Sequence, residues 1–86
     1  MDGNMSIYNK DVVPRRPKDV APPGGLVYRR YTKETPVLVV ESYPIFGNKF
    51  HDNTAPYWYW VYVIHDGTTG VPVKQYAENY WIFDAR

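Results

Sequence analysis

Few side chains in this chain have the chemistry that catalysis or metal binding requires. Two histidines are each followed by an aspartate, in His51-Asp52 and His65-Asp66, and imidazole with carboxylate is a metal-binding combination. Both aspartates also suit turns, because an aspartate side chain accepts hydrogen bonds from nearby backbone amides. The turn role is the stronger interpretation, so we expect no metal site.

Nucleophilic and phosphate-binding motifs are missing from the sequence. Cysteine is absent, and no Ser/His/Asp or paired-carboxylate pattern has a recognisable spacing. Gly24-Gly25 precedes a predicted strand, whereas a phosphate-binding glycine loop is followed by the N-terminus of a helix. We therefore expect a protein that is not an enzyme and that holds no cofactor.

Cations beside an aromatic ring suggest a different chemistry, single-stranded nucleic-acid binding. The candidate residues are Arg29, Arg30 and Tyr31, since rings stack on bases and cations meet phosphates. The net charge is only +1, however, and charged residues also protect an edge strand from aggregation. Nucleic-acid binding is therefore the alternative function, and a solvated strand edge is the simpler interpretation.

The elements that would position these residues belong to one small domain. A chain of 86 residues buries only about 60–65 % of its unfolded surface, which leaves no room for a second core. Aromatic residues make up 17 % of the chain and can build a core without disulfides. We see no signal peptide and no run of about 18 apolar residues, so we expect a cytoplasmic or virion protein that is not secreted and does not contact a membrane.

Two regions differ in composition. Residues 1–25, the arm, hold four of the eight prolines and show little periodicity, which predicts an extended segment. Residues 26–86 have the pattern of strands and turns, with β-branched and aromatic runs at 26–31, 37–43 and 57–65. A fourth strand is predicted over 69–74, where Pro72 implies an edge position or a bulge, followed by a tight helical turn over 75–80 and a short strand over 81–83. Residues 44–56 are predicted to be a long loop, and Asp66-Gly67 a hairpin turn.

Several stretches resemble the SH3-like small barrels of the KOW or Tudor type. GGLVYRRY is similar to the entry strand, PVLVVESYP to the second strand, WYWVYVIHDGTTGVPV to the third and fourth, and QYAENYWIF to the helical turn and last strand. The resemblance implies an all-β, five-stranded SH3-like barrel with an extended proline-rich arm. Short proteins of this pattern are common in tailed bacteriophages, which implies a virion accessory subunit or a binder of a host factor. The fold serves many binding functions, so it does not name one.

The stretch YWYWVYVIH has two apolar faces. The resemblance implies that Trp60, Tyr62 and Ile64 point inward with Trp58 at the rim, which leaves Tyr57, Tyr59, Val61 and Val63 outward. Contiguous exposed apolar residues mark interaction sites, so we predict a protein-binding or structural module that uses this face. Strong sheet twist, which would let both faces enter one distorted core, is the alternative.

The arm is the second candidate element for binding. Its proline-rich part favours the polyproline conformation, which docks into aromatic grooves on this chain or on a neighbour, and disorder in the free protein is the alternative. We expect the arm to contribute little to the core. The partner is then a protein or neighbouring virion subunits, in an oligomer or larger assembly. The predicted partner-binding residues are Tyr57, Tyr59, Val61, Val63, Arg15, Arg16, Pro22 and Pro23.

Overall fold

The computed structural model describes residues 7–30, 36–50, 55–65 and 69–83. Its five strands, with a 3₁₀ turn before the last, follow in the order β1 Leu26–Arg29, β2 Val37–Gly47, β3 Tyr57–His65, β4 Pro72–Tyr76, the turn Ala77–Asn79 and β5 Tyr80–Ile82. The all-β class and the number of strands are confirmed. No helix in the described ranges is long and apolar enough to cross a membrane.

The strands form one antiparallel sheet in the order β4-β3-β2-β1-β5. The predicted closed barrel is wrong, because the sheet is open and β4 and β5 are its two edges in the described part of the chain. Pro72 is the first residue of edge strand β4 and lies opposite His65. The first position of an edge strand tolerates a proline, which has no amide proton to donate to the sheet. The fold is therefore an open five-stranded antiparallel sheet, compatible with a small barrel-like arrangement.

The second strand is longer than predicted and continues through Pro44 to Gly47. β1 lies beside only its first residues, whereas β3 pairs with it as far as Gly47. Within the described residues, the second half of β2 thus has a neighbour on one side only, and a proline is tolerated there because it need not donate across the open side. The β2–β3 ladder has a register shift between Val39 and Glu41, which is the mark of a β-bulge in β2.

The core contains residues from the arm as well as from the sheet. Val20 and Ala21 are buried and belong to the cluster formed by Val27, Val39, Tyr62, Ile64, Ala77 and Tyr80. The expectation that the arm contributes little to the core is therefore wrong. An open sheet of this size leaves one side of its interior uncovered, and the arm supplies apolar side chains on that side.

A tight turn leads the arm into β1. The Gly25 amide donates to the Pro22 carbonyl at 3.0 Å, and Gly24 has a φ of +91°. Proline followed by glycine at the two central positions, with positive φ at the second, is the sequence that a type II turn prefers. The PPGG sequence thus reverses the chain and returns the arm to the sheet.

Candidate protein-interaction surface

One face of β3 lies under the arm. This Trp face consists of Trp58, Trp60, Tyr62 and Ile64. Tyr62 and Ile64 are buried and Trp60 packs partly buried against the core, so the predicted inward direction of these three residues is confirmed. The Tyr62 hydroxyl accepts a 2.8 Å hydrogen bond from the Ala21 amide, which ties the arm to the centre of the sheet.

The titration of Tyr62 reflects this position. Burial raises the pKa of its phenol above the ordinary value of 10.0, because the phenolate would lose its hydration. The hydrogen bond from Ala21 acts in the opposite direction, Asp19 raises the pKa and Arg16 lowers it, but burial dominates. Tyr62 therefore serves as a neutral structural hydroxyl at physiological pH.

The opposite face of β3, the Tyr face, is less exposed than predicted. It consists of Tyr57, Tyr59, Val61 and Val63; Val61 is fully buried and the others are half-buried. Val61 lies directly between Tyr43 on β2 and Tyr76 on β4, and these long side chains flank a short one. The prediction that Val61 is exposed is wrong. A partner-binding role for this face stays a prediction.

Lys49, which follows β2, also covers part of the Tyr face. Its side chain is only 4 % exposed, and its ammonium lies 5.5 Å from the ring centroid of Tyr59 and 5.1 Å from that of Tyr76. Glu78 forms an ion pair with it, and the Tyr76 hydroxyl donates to the Lys49 carbonyl at 3.4 Å. This cation is satisfied inside the protein, so the arrangement is structural.

A group of exposed apolar side chains lies on β1, β2 and β5. Leu26 is opposite Leu38, and Tyr28 is opposite Trp81. Because side chains alternate along a strand, these residues point away from buried Val27. We define the outer face as Leu26, Tyr28, Leu38, Val40, Trp81 and Phe83.

The outer face is open to solvent. Its members other than half-buried Tyr28 are between 37 and 54 % exposed. The ring of Phe83 meets that of Tyr28 edge-on at 6.4 Å, which joins the end of β5 to the centre of the patch. Exposed apolar residues are ordinary when isolated, but a contiguous group on one sheet face is typical of an interaction site.

A cation borders this patch. The guanidinium of Arg30 lies 4.1 Å from the centroid of the Trp81 indole, and Arg29 lies 5.8 Å from the Tyr80 ring centroid. Arg30 thereby extends the flat surface of the indole and brings a positive charge to the edge of the outer face. The arrangement suits an apolar ligand surface with a negative group at its rim.

The other predicted site residues do not form one surface. Arg15, Pro22 and Pro23 are exposed on the arm. Arg16 contacts Trp60, on the opposite side of β3 from the Tyr face. Of the alternative nucleic-acid set, Arg29 and Arg30 flank β5, whereas Tyr31 lies outside the described residues.

Metal-ligating groups are sparse. His65 is exposed, and His51, Asp52 and Asp66 lie outside the described residues. Within the described ranges, no three His, Asp or Glu side chains are grouped so as to hold a metal ion.

The outer face was missed in the sequence, although part of its signal is present there. In LVYR and VLVV every residue but one is apolar or aromatic, so alternation does not show which residues face solvent. The pairing of β1 with β5 brings Trp81 and Phe83 to this face from the far end of the chain.

Comparison of the chain with protein-family models, with characterised proteins and with solved structures finds no match in any of the three.

Proposed function

We propose that this chain is a non-enzymatic protein-binding module that docks a protein partner on its outer face. The observation that carries the proposal is the exposure of five large apolar side chains on one face of β1, β2 and β5, at 37–54 % each. Each Å² of apolar surface removed from water contributes about 25 cal/mol, so covering these side chains favours association. The partner is expected to offer an apolar centre and a carboxylate near Arg30.

The two residues most suited to dominate the affinity are Trp81 and Arg30. Tryptophan and arginine are enriched among interface residues whose truncation weakens binding most, and here they are stacked on each other at 4.1 Å. The stacking limits the conformations of both side chains before binding, so less entropy is lost when a partner covers them.

The fold we propose is an open variant of the SH3-like small barrel. The strand order β4-β3-β2-β1-β5, with a 3₁₀ turn between the last two strands, supports this assignment. The setting in a tailed bacteriophage, as a virion accessory subunit or a binder of a host factor, rests on the resemblance of the sequence alone.

Single-stranded nucleic acid is the second candidate ligand. The observation in its favour is the Arg30 guanidinium over exposed Trp81, because an exposed ring beside a cation is also a platform for a base and its phosphate. The two functions differ in their response to salt. Phosphate contacts lose orders of magnitude in affinity between 50 and 200 mM salt, whereas apolar docking changes little.

A pair of charge substitutions tests the proposal. Leu38 and Val71 are 54 % and 55 % exposed, but only Leu38 lies on the outer face. We expect Leu38→Glu and Val71→Glu to melt within a few degrees of the parent protein, because exposed positions tolerate charge.

Co-purification from the native source should then separate the two variants. The parent and Val71→Glu should recover the same partner protein, and Leu38→Glu should lose it at both low and physiological salt. Equal recovery by both variants would show that the outer face is not the docking surface. Binding of a fluorescent single-stranded oligonucleotide that disappears at physiological salt and in Arg30→Gln would favour the second candidate.

A further inference from the structure

The arm lies on the Trp face through a few separate contacts. The Trp58 indole N–H donates to the Asn9 carbonyl at 2.8 Å. The Arg16 guanidinium lies 5.4 Å from the Trp60 ring centroid and donates to the Ser42 carbonyl at 3.2 Å. The Trp face thus contacts a carbonyl and a guanidinium seven residues apart, on a segment that turns where the Val12 amide donates to the Asn9 carbonyl at 3.1 Å.

Most of the arm is held only at its surface. Residues 8–13 and 15–19 are exposed, and deep burial is confined to Val20 and Ala21. Prolines keep such a segment extended when it is released, so re-docking costs less entropy than for a flexible chain. The arm is therefore suited to leave its own sheet and to bind again as a unit.

The turn before β1 decides where the arm goes. With Gly24 at φ +91° and the Gly25 amide bonded to the Pro22 carbonyl, the chain reverses and the arm meets its own sheet. If this turn opens into extended chain, the arm projects away from its own sheet. A Cβ built at Gly24 meets no atom within 4 Å, so a side chain there would strain the closed turn through the backbone and not through a clash; the Gly24 amide also donates to the Val39 carbonyl at 2.8 Å in this turn.

We propose that the arm is exchanged between two copies of this chain, each arm lying on the Trp face of the other copy. The arm of a second copy has the same sequence and makes the same contacts with Trp58, Trp60 and Tyr62 as the arm does within one chain. The two arrangements differ only in the conformation of the hinge and in the entropy of bringing two chains together. Folding back is favoured in dilute solution by an effective concentration in the millimolar range, and exchange is favoured where copies are crowded, as in an assembly. This inference does not depend on the outer face.

The first test strains the closed turn. Gly24→Ala places a side chain at positive φ, which disfavours the closed turn by about tenfold. A dimer opens two such turns, so we expect the dimer dissociation constant measured by sedimentation equilibrium to fall by about 100-fold. Gly47→Ala is the matched control: Gly47 has the same open surroundings without positive φ, and this variant should behave as the parent. A Gly24→Ala variant that stays monomeric at millimolar concentration, with a lower melting temperature, would overturn the proposal.

The second test shows which sheet each arm contacts. The Tyr8 and Tyr57 ring centroids lie 6.4 Å apart, and the natural chain has no cysteine. In a Tyr8→Cys/Tyr57→Cys variant, a thiol-specific bifunctional cross-linker, which spans more than a disulfide can, links the arm to the sheet it touches, and a denaturing gel reads the product as monomer or dimer.

Exchange predicts that the fraction of covalent dimer rises with protein concentration and rises further when Gly24→Ala is added. In both cases it should exceed the fraction formed by either single-cysteine variant. Covalent monomer under all conditions contradicts exchange. If that monomer nevertheless sediments as a dimer, the association uses another surface, and the outer face is then tested with Leu38→Glu.

Discussion

The hydroxyl of Tyr62 connects the arm to the sheet, and removing it tests the account of the core most directly. In Tyr62→Phe the ring keeps its T-shaped contact with Tyr80, whose centroid lies 5.9 Å away, so packing is preserved. The amide of Ala21, a residue only 1 % exposed, loses the acceptor that it had at 2.8 Å. A buried donor left without its partner costs about 1–3 kcal/mol, and we expect the free energy of unfolding to fall by that amount at pH 7.

The pH dependence of the free energy of unfolding tests the burial of the Tyr62 phenol independently. Because burial raises the pKa of Tyr62 in the folded state, the folded protein retains this proton at pH values where the unfolded chain has released it. The stability associated with the neutral phenol is complete below pH 10.0, the unfolded value, and is lost as pH rises through the higher folded value. Relative to Tyr62→Phe, the parent should lose at most about 1.4 kcal/mol per pH unit in that window.

Urea unfolding followed by tryptophan fluorescence, repeated between pH 7 and pH 11.5, measures both effects. Tyr8→Phe is the control at pH 7, since Tyr8 is 55 % exposed and loss of its hydroxyl should leave the free energy of unfolding close to that of the parent. A Tyr62→Phe protein as stable as the parent at pH 7, with a parallel alkaline limb, would refute both the Ala21 contact and the burial of the phenol.

Two further predictions follow from burial. Val61→Glu should lower the free energy of unfolding by at least about 3 kcal/mol because it buries a charge. Val63 is half-buried on the same face, so Val63→Glu should lower it less in the same urea titration, and equal losses would contradict the buried position of Val61. A chain that starts at Asp19 should lose only about 1 kcal/mol, whereas one that starts at Pro22 should lose about 3 kcal/mol more, since it lacks Val20, Ala21 and the bond to Tyr62. Similar melting temperatures for the two truncated chains would show that these two residues do not complete the core.

The elements that could be predicted from the sequence are those specified by neighbouring residues. β3 was predicted at its observed bounds, Tyr57–His65, because an uninterrupted run of aromatic and β-branched residues allows little else. The tight turn before β5 and the edge position of Pro72 also follow from local chemistry. The predicted hairpin turn at Asp66-Gly67 lies outside the described residues.

The features that could not be predicted depend on distant neighbours. Pro44 suggested a loop, and its place inside β2 is explained by the pairing of that part of β2 with β3 alone among the described strands. The resemblance to small barrels implied that Val61 faces outward, but Tyr43 and Tyr76 flank it from two other strands. Composition shows that the arm is irregular, yet the burial of Ala21 depends on a hydroxyl 41 residues away.

The pairing of β1 with β5 also has a consequence for the order of folding. Val27, Tyr28 and Arg29 pair with Ile82, Trp81 and Tyr80, so this ladder joins parts of the chain separated by more than fifty residues, whereas β2, β3 and β4 are linked through nearer neighbours. Closing a long loop costs more entropy than closing a short one, and contacts between distant residues slow folding. The meander of β2, β3 and β4 is therefore expected to form first and β5 to dock last. Because Trp81 and Phe83 arrive with β5, an incompletely folded chain lacks the complete outer face, and the surface proposed for partner binding is assembled only when folding ends.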